Sequence, residues 1–560
     1  MAETNVWEDK IYAYSLKNAI EHEGKAMAGS VLGHLFQDGL KKDDIKEVMP
    51  LINEDIKKVN SMGEKEREKE FKKFEKFVKI IEHKEREGLP ELPDAQMGKV
   101  ITRIAPEPSK YNHLGHALSF LFNYLYAKKY KGKCLLRFED TNPEKVSQEY
   151  LDAMKEDLID YLGIKVDGIR IVSEDMKLLY DYAKKLIEMD KAYMCFCSRE
   201  KMQKLREEGK ECPCREFDKK KNLDEWKKFL AGKYMKGEAV LRIKGDMKSV
   251  NYVMRDSVIF RAVEAQHYKY KDKYHVWPMY DFYNPIEDSI MGVTHILRSN
   301  EFEVRVELQD YIKELLELPK QTIVQYGRFN VIGTTTQGRE IRELIDSGKY
   351  LGWDDPRLVT LRALKRRGIV KEAFYELAQQ MGLTNHAVNL DFDMIAAINR
   401  KIIDPNCDRY SFAAEPVELK IENKPKIKEV EVKLHPEKEK KRKIKLGERI
   451  FISNKDYESN IGKELRLMNL YNLQLEKDGK AKFTSEHTKD NDKSLTKINW
   501  VSNFLNAKVM MPDATFVSGV VDDSIKKLKI DDEVQFERFG FVRLDKINDA
   551  GEYEFWFSHK

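Results

Sequence analysis

No apolar run in these 560 residues approaches the roughly 20 that a membrane-spanning helix needs, and the opening stretch MAETNVWEDK lacks a signal-peptide pattern. A cytoplasmic chain with no membrane partner is the expectation. Cysteine is scarce: there are six, and four of them fall between Cys195 and Cys214, unlike a secreted disulfide framework. Net charge is scarce as well. One hundred basic side chains stand against 96 acidic ones, so a polyanionic partner must be met by local patches rather than by overall charge. No repeat with a period of about 20–50 residues is apparent, and no low-complexity stretch beyond a Lys/Glu-rich helix and a basic hairpin. The length calls for several domains, each able to bury a core.

The most informative stretch runs from Val100 to Pro143. It reads as a strand (Val100 to Ala105), a Pro-rich turn, a helix from about Leu114 to Tyr130 and a second strand from Cys134 to Phe138. Leu114, Leu118, Leu121 and Leu125 recur at helical spacing, and Gly132 reads as a C-cap-like residue. This is a βαβ unit, whose ligands sit beyond the carboxyl ends of the strands. The first strand runs into Pro106, Glu107 and Pro108, then His113, Leu114, Gly115 and His116 at the helix start. The second ends in Glu139, Asp140 and Thr141. A helix N-terminus favours an anion, the imidazoles can donate to phosphate oxygens, and Gly115 permits close approach of a nucleotide.

Alone, a histidine pair capping a helix is a weak signal; with these flanks it resembles the His-Ile-Gly-His signature of class I aminoacyl-tRNA synthetases. The flanks TRIAPEPS and LRFEDTNP resemble the glutamyl/glutaminyl branch in particular. Two residues depart from the usual form: Lys110 stands where Gly is common, and Asn112 where an apolar residue is common. The resemblance, in its archaeal glutamyl form, covers nearly the whole chain. It implies ATP-dependent ligation of L-glutamate to tRNA(Glu) through a glutamyl-adenylate, with Mg2+ accompanying ATP and activation requiring bound tRNA. Charging of tRNA(Gln) stays open, and a monomer is expected. Glutaminyl activity and a tRNA-binding paralogue without synthetase activity are the alternatives. Pro106, Pro108, His113 and His116 are the expected ATP contacts, with His113, Gly115 and His116 at the reacting phosphates.

Further along, Tyr280, Asn284 and Arg298 are polar residues in an aromatic-rich run, and an unpaired arginine is costly in a core. The resemblance places all three in the amino-acid pocket. It also places Arg103 on the substrate side-chain carboxylate and Glu139 on its α-ammonium. Arg298 argues for glutamate over glutamine. A structural ion pair of Arg298 with Glu301 or Glu303 is the competing reading. The second class I signature, a lysine-bearing loop, falls by position on Thr336 to Ile341, which contains no lysine. Arg339 and Arg342 are its cations, and Arg339 is the expected phosphate ligand, although arginine is no simple replacement for lysine.

Cys195, Cys197, Cys212 and Cys214 pair as two Cys-x-Cys motifs, a pattern suited to a structural S4 zinc site. Cys134 and Cys407 stand apart. Residues 1–97 read as a helical N-terminal extension. Phe71, Phe74, Val78 and Ile81 form its apolar stripe, and Gly88, Pro90 and Pro93 supply a linker. A Rossmann-type catalytic domain is expected over 98–320, with an inserted acceptor-end subdomain at about 190–255. Two helical stretches are expected between Val146 and Met189. A second-signature loop and connecting helices follow over 321–404, where Lys365, Arg366 and Arg367 either meet RNA or cap a helix. From 405 to 560 alternating strands and the turns Asp478-Gly479 and Asp549-Ala550-Gly551 suggest two antiparallel β-barrels. The resemblance assigns these to anticodon binding. The run Lys438 to Lys445 suits phosphate contact or a solvated hairpin tip.

Overall fold

The structure, a computed structural model, describes residues 5–22, 24–41, 44–78, 88–486 and 495–560. It divides into two compact units, Met1–Arg86 and Glu87–Lys560. Among the described residues the first holds four α-helices: α1 (Asn5–Glu21), α2 (Ala28–Gln37), α3 (Ile45–Asn60) and α4 (Glu64–Phe74). Ile11, Tyr14, Val31, Leu35, Val48 and Ile52 form its core, with Phe71, Phe74 and Val78 packed against it. Ile81 of the expected stripe lies outside the described residues.

In the second unit, β1 (Ile101–Ile104), α5 (Leu114–Lys129) and β2 (Lys133–Phe138) form the expected βαβ element, and β1 and β2 pair in parallel. Gly132 serves differently from the expectation. Lys131 takes the left-handed conformation after α5 (φ 50°), and the Gly132 N–H closes the helix by donating to Ala127. A Cβ on Gly132 would lie 1.9 Å from the Val100 carbonyl oxygen, so the position needs glycine for close approach to the start of β1. Leu92 is buried in the same core as α5, and its N–H donates to the Tyr130 hydroxyl; residues 88–97 thus pack on this unit.

After α6 (Gln148–Lys155), which continues as a π-helical turn over Glu156–Tyr161, comes a third parallel strand, β3 (Gly168–Ile171). The reading of two helical stretches up to Met189 missed it, because GIRI is too short and too half-buried to show a period. The helix α7 (Met176–Glu188) follows. An inserted antiparallel sheet is built from β4 (Ala192–Cys195), β5 (Val240–Ile243), β6 (Val258–Ala262) and β7 (Val276–Pro278), with α8 (Arg199–Glu207) and α9 (Lys219–Leu230) between β4 and β5. The chain returns through α10 (Tyr280–Ile290) to β8 (His295–Ser299), α11 (Val306–Leu316) and β9 (Thr322–Tyr326). Thr294 donates its N–H to the Ile101 carbonyl and accepts the Ile101 N–H on its Oγ1, which sets β8 beside β1. Strand order therefore reverses at β1, a topological switch of the kind where doubly wound sheets bind ligands.

Beyond β10 (Phe329–Val331) lie α12 (Gly338–Asp346), α13 (Leu361–Arg366), α14 (Lys371–Met381), β11 (Val388–Leu390) and α15 (Phe392–Ile403). The basic cluster on α13 meets protein. Arg366 pairs with Asp545 and Asp354, Arg367 donates to the carbonyls of Phe557 and Ser558, and Lys365 pairs with Glu156.

The C-terminal part forms two barrel-like sheets. Seven strands run in the order 408–410, 533–536, 540–547, 553–559, 504–510, 516–522, 412–414, and six in the order 450–453, 416–422, 480–485, 472–475, 464–467, 496–498. Each encloses its own core, one around Tyr410, Phe536 and Phe555 and the other around Leu419, Leu465 and Trp500. The expectation of purely antiparallel barrels is corrected. Among the described residues four pairings are parallel, such as 504–510 with 553–559 and 416–422 with 480–485. These strands are distant in the chain, and hairpin signals report only neighbours. The basic run falls largely on a ribbon in which 441–445 pairs with 429–433; Lys441 and Lys443 meet Glu431 and Glu429, and Arg442 is buried against Asp522.

Candidate active site

At the switch, the first histidine signature caps α5. His113 stands in extended conformation as N-cap and accepts the Gly115 N–H on its Nδ1 at 3.1 Å, while its own N–H donates to His116 Nδ1 at 3.3 Å. The two rings stack with centroids 3.8 Å apart. With both Nδ1 atoms accepting, each ring's proton sits on Nε2, free to donate. Burial, with Lys110 and Arg328 nearby, pushes the His113 pKa down to about 3, and burial drives that of His116 well below its ordinary value. Both are therefore neutral donors at physiological pH. A Cβ on Gly115 would lie 3.4 Å from Phe329 Cβ, so the helix start and β10 approach closely. Asn112 is structural: its side chain donates to Asp157 and its carbonyl accepts from Leu361. The Pro106 carbonyl accepts the Glu139 N–H at 2.9 Å, tying the ends of β1 and β2, and Pro108 accepts from Ser147.

Two adjoining cavities open here. One, of about 380 Å³, is lined by Arg103, Pro106, Glu139, Tyr280 and Arg298; the other, of about 310 Å³, by His113, Gly115, Phe329, Thr336 and Gln337. Behind the first runs a buried network. Arg103 Nε and Arg137 Nη1 donate to Asp288 Oδ1 at 3.0 and 2.6 Å, and Arg137 Nη2 donates to Glu139 Oε1 at 2.8 Å. Asn284 also donates to Glu139 Oε1, and the Tyr283 hydroxyl to Oε2. Burial alone would raise the Asp288 carboxyl, but the Arg103 and Arg137 guanidiniums hold it below its ordinary value.

Arg298 is 5% exposed. Its Nη1 donates to Gln309 at 2.9 Å and meets the Tyr280 hydroxyl at 3.4 Å, while Nε and Nη2 are buried with no partner. Among the described residues it forms no ion pair; Glu301, offered above as its partner, takes Arg328 at 2.8 Å. Arg103 and Arg137 thus share Asp288, Glu139 takes Arg137, and Arg298 stands beside them with its charge unpaired. Two buried donors without partners are costly and suit an anionic ligand.

The structure brings together Arg103, Glu139, Tyr280, Asn284 and Arg298, and beside them His113, Gly115 and His116. It does not bring Arg339 to them. That side chain is 88% exposed and pairs with Glu343 at 2.9 Å, within α12. Sequence reasoning missed Arg137 and Asp288. Both carried a signal: Arg137 in β2 is two residues before Glu139, just past the strand's end, and Tyr280, Asn284 and Asp288 follow one face of α10 at four-residue steps.

In the inserted subdomain, the four sulfurs of Cys195, Cys197, Cys212 and Cys214 lie within 4.8 Å of one another, all buried. Cys195 to Cys212 is 3.7 Å and Cys197 to Cys214 3.9 Å. A tetrahedral site with Zn–S bonds of about 2.3 Å has sulfur–sulfur edges of about 3.8 Å, so the donor set fits. The buried Arg242 guanidinium lies 3.9 Å from the Cys195 sulfur and offsets negative charge on a four-thiolate cluster.

Comparison with known proteins identifies the family. The family model for the catalytic domain of class I (E and Q) tRNA synthetases matches residues 99–405, and two models of the anticodon-binding domain of the same synthetases match 407–491 and 483–545. The chain belongs to the class I tRNA synthetases of the E and Q branch. Within that class it is similar to proteins named glutamate–tRNA ligase. It is 38% identical to that of Thermococcus onnurineus, over 96% of this chain and 97% of the other. It is 37% identical to that of Methanosphaera stadtmanae, over 99% of each, and 38% identical to that of Methanocaldococcus jannaschii, over 97% and 98%. Among the described residues no helix is long and apolar enough to cross a membrane.

Proposed function

We propose that this protein ligates L-glutamate to tRNA(Glu), using ATP with Mg2+ and passing through a glutamyl-adenylate. The observation that carries the reading is Arg298, a buried guanidinium with two unpartnered donors, at the wall of a cavity that Arg103, Glu139 and Tyr280 also line. Glutamate brings a side-chain carboxylate for those two donors and an ammonium for the Glu139 carboxylate. In this reading its side-chain carboxylate lies between Arg298 and Arg103, and its ammonium faces Glu139 and Tyr280. Glutamine, with a neutral amide, would leave Arg298 unpaired and turn an NH2 group toward donors.

ATP occupies the neighbouring cavity, with its phosphates over the start of α5. The α-carboxylate oxygen of glutamate bonds to the α-phosphorus as the bond to the bridging oxygen breaks and diphosphate leaves. The terminal ribose hydroxyl of the tRNA then attacks the acyl carbon and releases AMP. Neutral His113 and His116 donate from Nε2 to phosphate oxygens without carrying charge of their own, and the helix N-terminus adds to the field. Positioning by the preformed pocket supplies the rest. The four cysteines would hold one zinc, whose work is to fold the insertion rather than to take part in the reaction. ATP–diphosphate exchange measured with tRNA(Glu) tests the proposal: glutamate supports exchange and glutamine does not. No exchange with either amino acid would remove the reading.

A further inference from the structure

Six residues line both cavities: Lys110, His116, Ser119, Ser299, Glu301 and Tyr326. In the reaction proposed above, the amino-acid carboxylate enters from one cavity and the nucleotide from the other. The α-phosphate must therefore sit at this seam. Of the six, Lys110 alone carries a positive charge, since His116 is held neutral. Among the described residues its ammonium enters no ion pair, and its one hydrogen bond is a 3.4 Å contact with the Thr336 carbonyl. The stem lies against the start of α12: a Cβ on Gly338 would lie 3.2 Å from Lys110 Cβ and 3.3 Å from its Cδ.

No other cation nearby is so placed. Arg339 points to solvent with Glu343, and Arg342 contacts the Ser109 carbonyl and the Tyr150 hydroxyl and lines neither cavity. Arg328 lines only the nucleotide side and is spent on Glu301. We propose that Lys110 is the catalytic cation of adenylate formation, contacting the α-phosphate of ATP and neutralising the charge that builds on it as the carboxylate oxygen bonds and diphosphate leaves. The assignment rests on the adenylate-forming reading above. Burial lowers the ammonium pKa, opposed by Glu107 and reinforced by Arg328 and Arg342, and an arriving phosphate removes that strain on the charged form.

Diphosphate exchange with glutamate and tRNA separates the two levels. A wild-type enzyme that does not exchange loses the adenylate reading itself, before any variant is compared. With wild-type exchange established, Lys110→Met, which keeps an apolar stem, is expected to lose about 100- to 1,000-fold in kcat, the size of one preorganised charge contact in the transition state. KM for glutamate should change by less than about threefold, and Lys110→Arg should recover most of the loss. A merely structural lysine would instead lower melting temperature and tRNA affinity together, with no rescue by charge. Lys110→Met within about threefold of wild-type kcat, or Arg339→Ala losing more than Lys110→Met, overturns the proposal. If Lys110→Met unfolds early, Lys110→Arg and Lys110→Gln are compared at a temperature where both are folded: a charge-dependent kcat supports the role, and equal values overturn it.

Discussion

Arg298→Gln is the substitution that bears most directly on substrate choice. Arg298 makes one good hydrogen bond, to Gln309, and leaves two buried donors unpaired. Removing its charge should cost little stability, because the guanidinium is already poorly satisfied; a melting temperature within about 3 °C of wild type is expected. Catalysis is another matter. Two charge-assisted hydrogen bonds to a carboxylate contribute about 1.5–3 kcal/mol each, and a shorter neutral amide recovers part of one. A net loss of about 3 kcal/mol corresponds to roughly 150-fold in kcat/KM for glutamate. For glutamine the same change removes a mismatch, so the ratio between the two substrates should narrow by at least that factor. The assay is aminoacylation kinetics with each amino acid, alongside tRNA affinity and thermal unfolding. An undiminished preference for glutamate, or a variant that simply unfolds, refutes the charge argument.

Metal analysis should find about one zinc per chain, and replacing Cys212 and Cys214 by serine should lower that content while ATP binding persists; fully active metal-free wild-type protein would end the zinc assignment. His113 has a folded pKa of about 3 against an ordinary 6.5, so the unfolded chain takes up its proton first. Its stabilising contribution is complete above pH 6.5 and declines as pH falls from there toward 3, which thermal unfolding across that range should follow. The exchange rate should show no inflection near 6.5 from this ring, and one that vanishes in His113→Asn would contradict the neutral-donor role. Gly132→Ala forces a methyl into the Val100 carbonyl and should cost about 3 kcal/mol in denaturant unfolding; a loss below about 1 kcal/mol would mean that the turn relaxes.

Local chemistry was legible from the chain alone. The period of α5, the histidine pair at its start and the acidic end of β2 define a nucleotide-binding βαβ unit because each depends on residues within about 40 positions. The paired cysteines and the Asp478-Gly479 turn, with φ of 56° and 69°, are local in the same way. What the chain could not state was which distant groups share a charge. Arg298 reads equally well as half of a surface ion pair until the fold gives Glu301 to Arg328 and leaves Arg298 facing Tyr280 and Arg103. The α13 cluster reads equally well as an RNA contact until the strand 540–547 brings Asp545 to Arg366. Lys110 reads as a departure from a family pattern until two cavities meet around it and Arg339 turns outward. Electrostatic pairing is set by distances between side chains hundreds of residues apart, so only the tertiary structure decides which charges are satisfied and which are held open for a ligand.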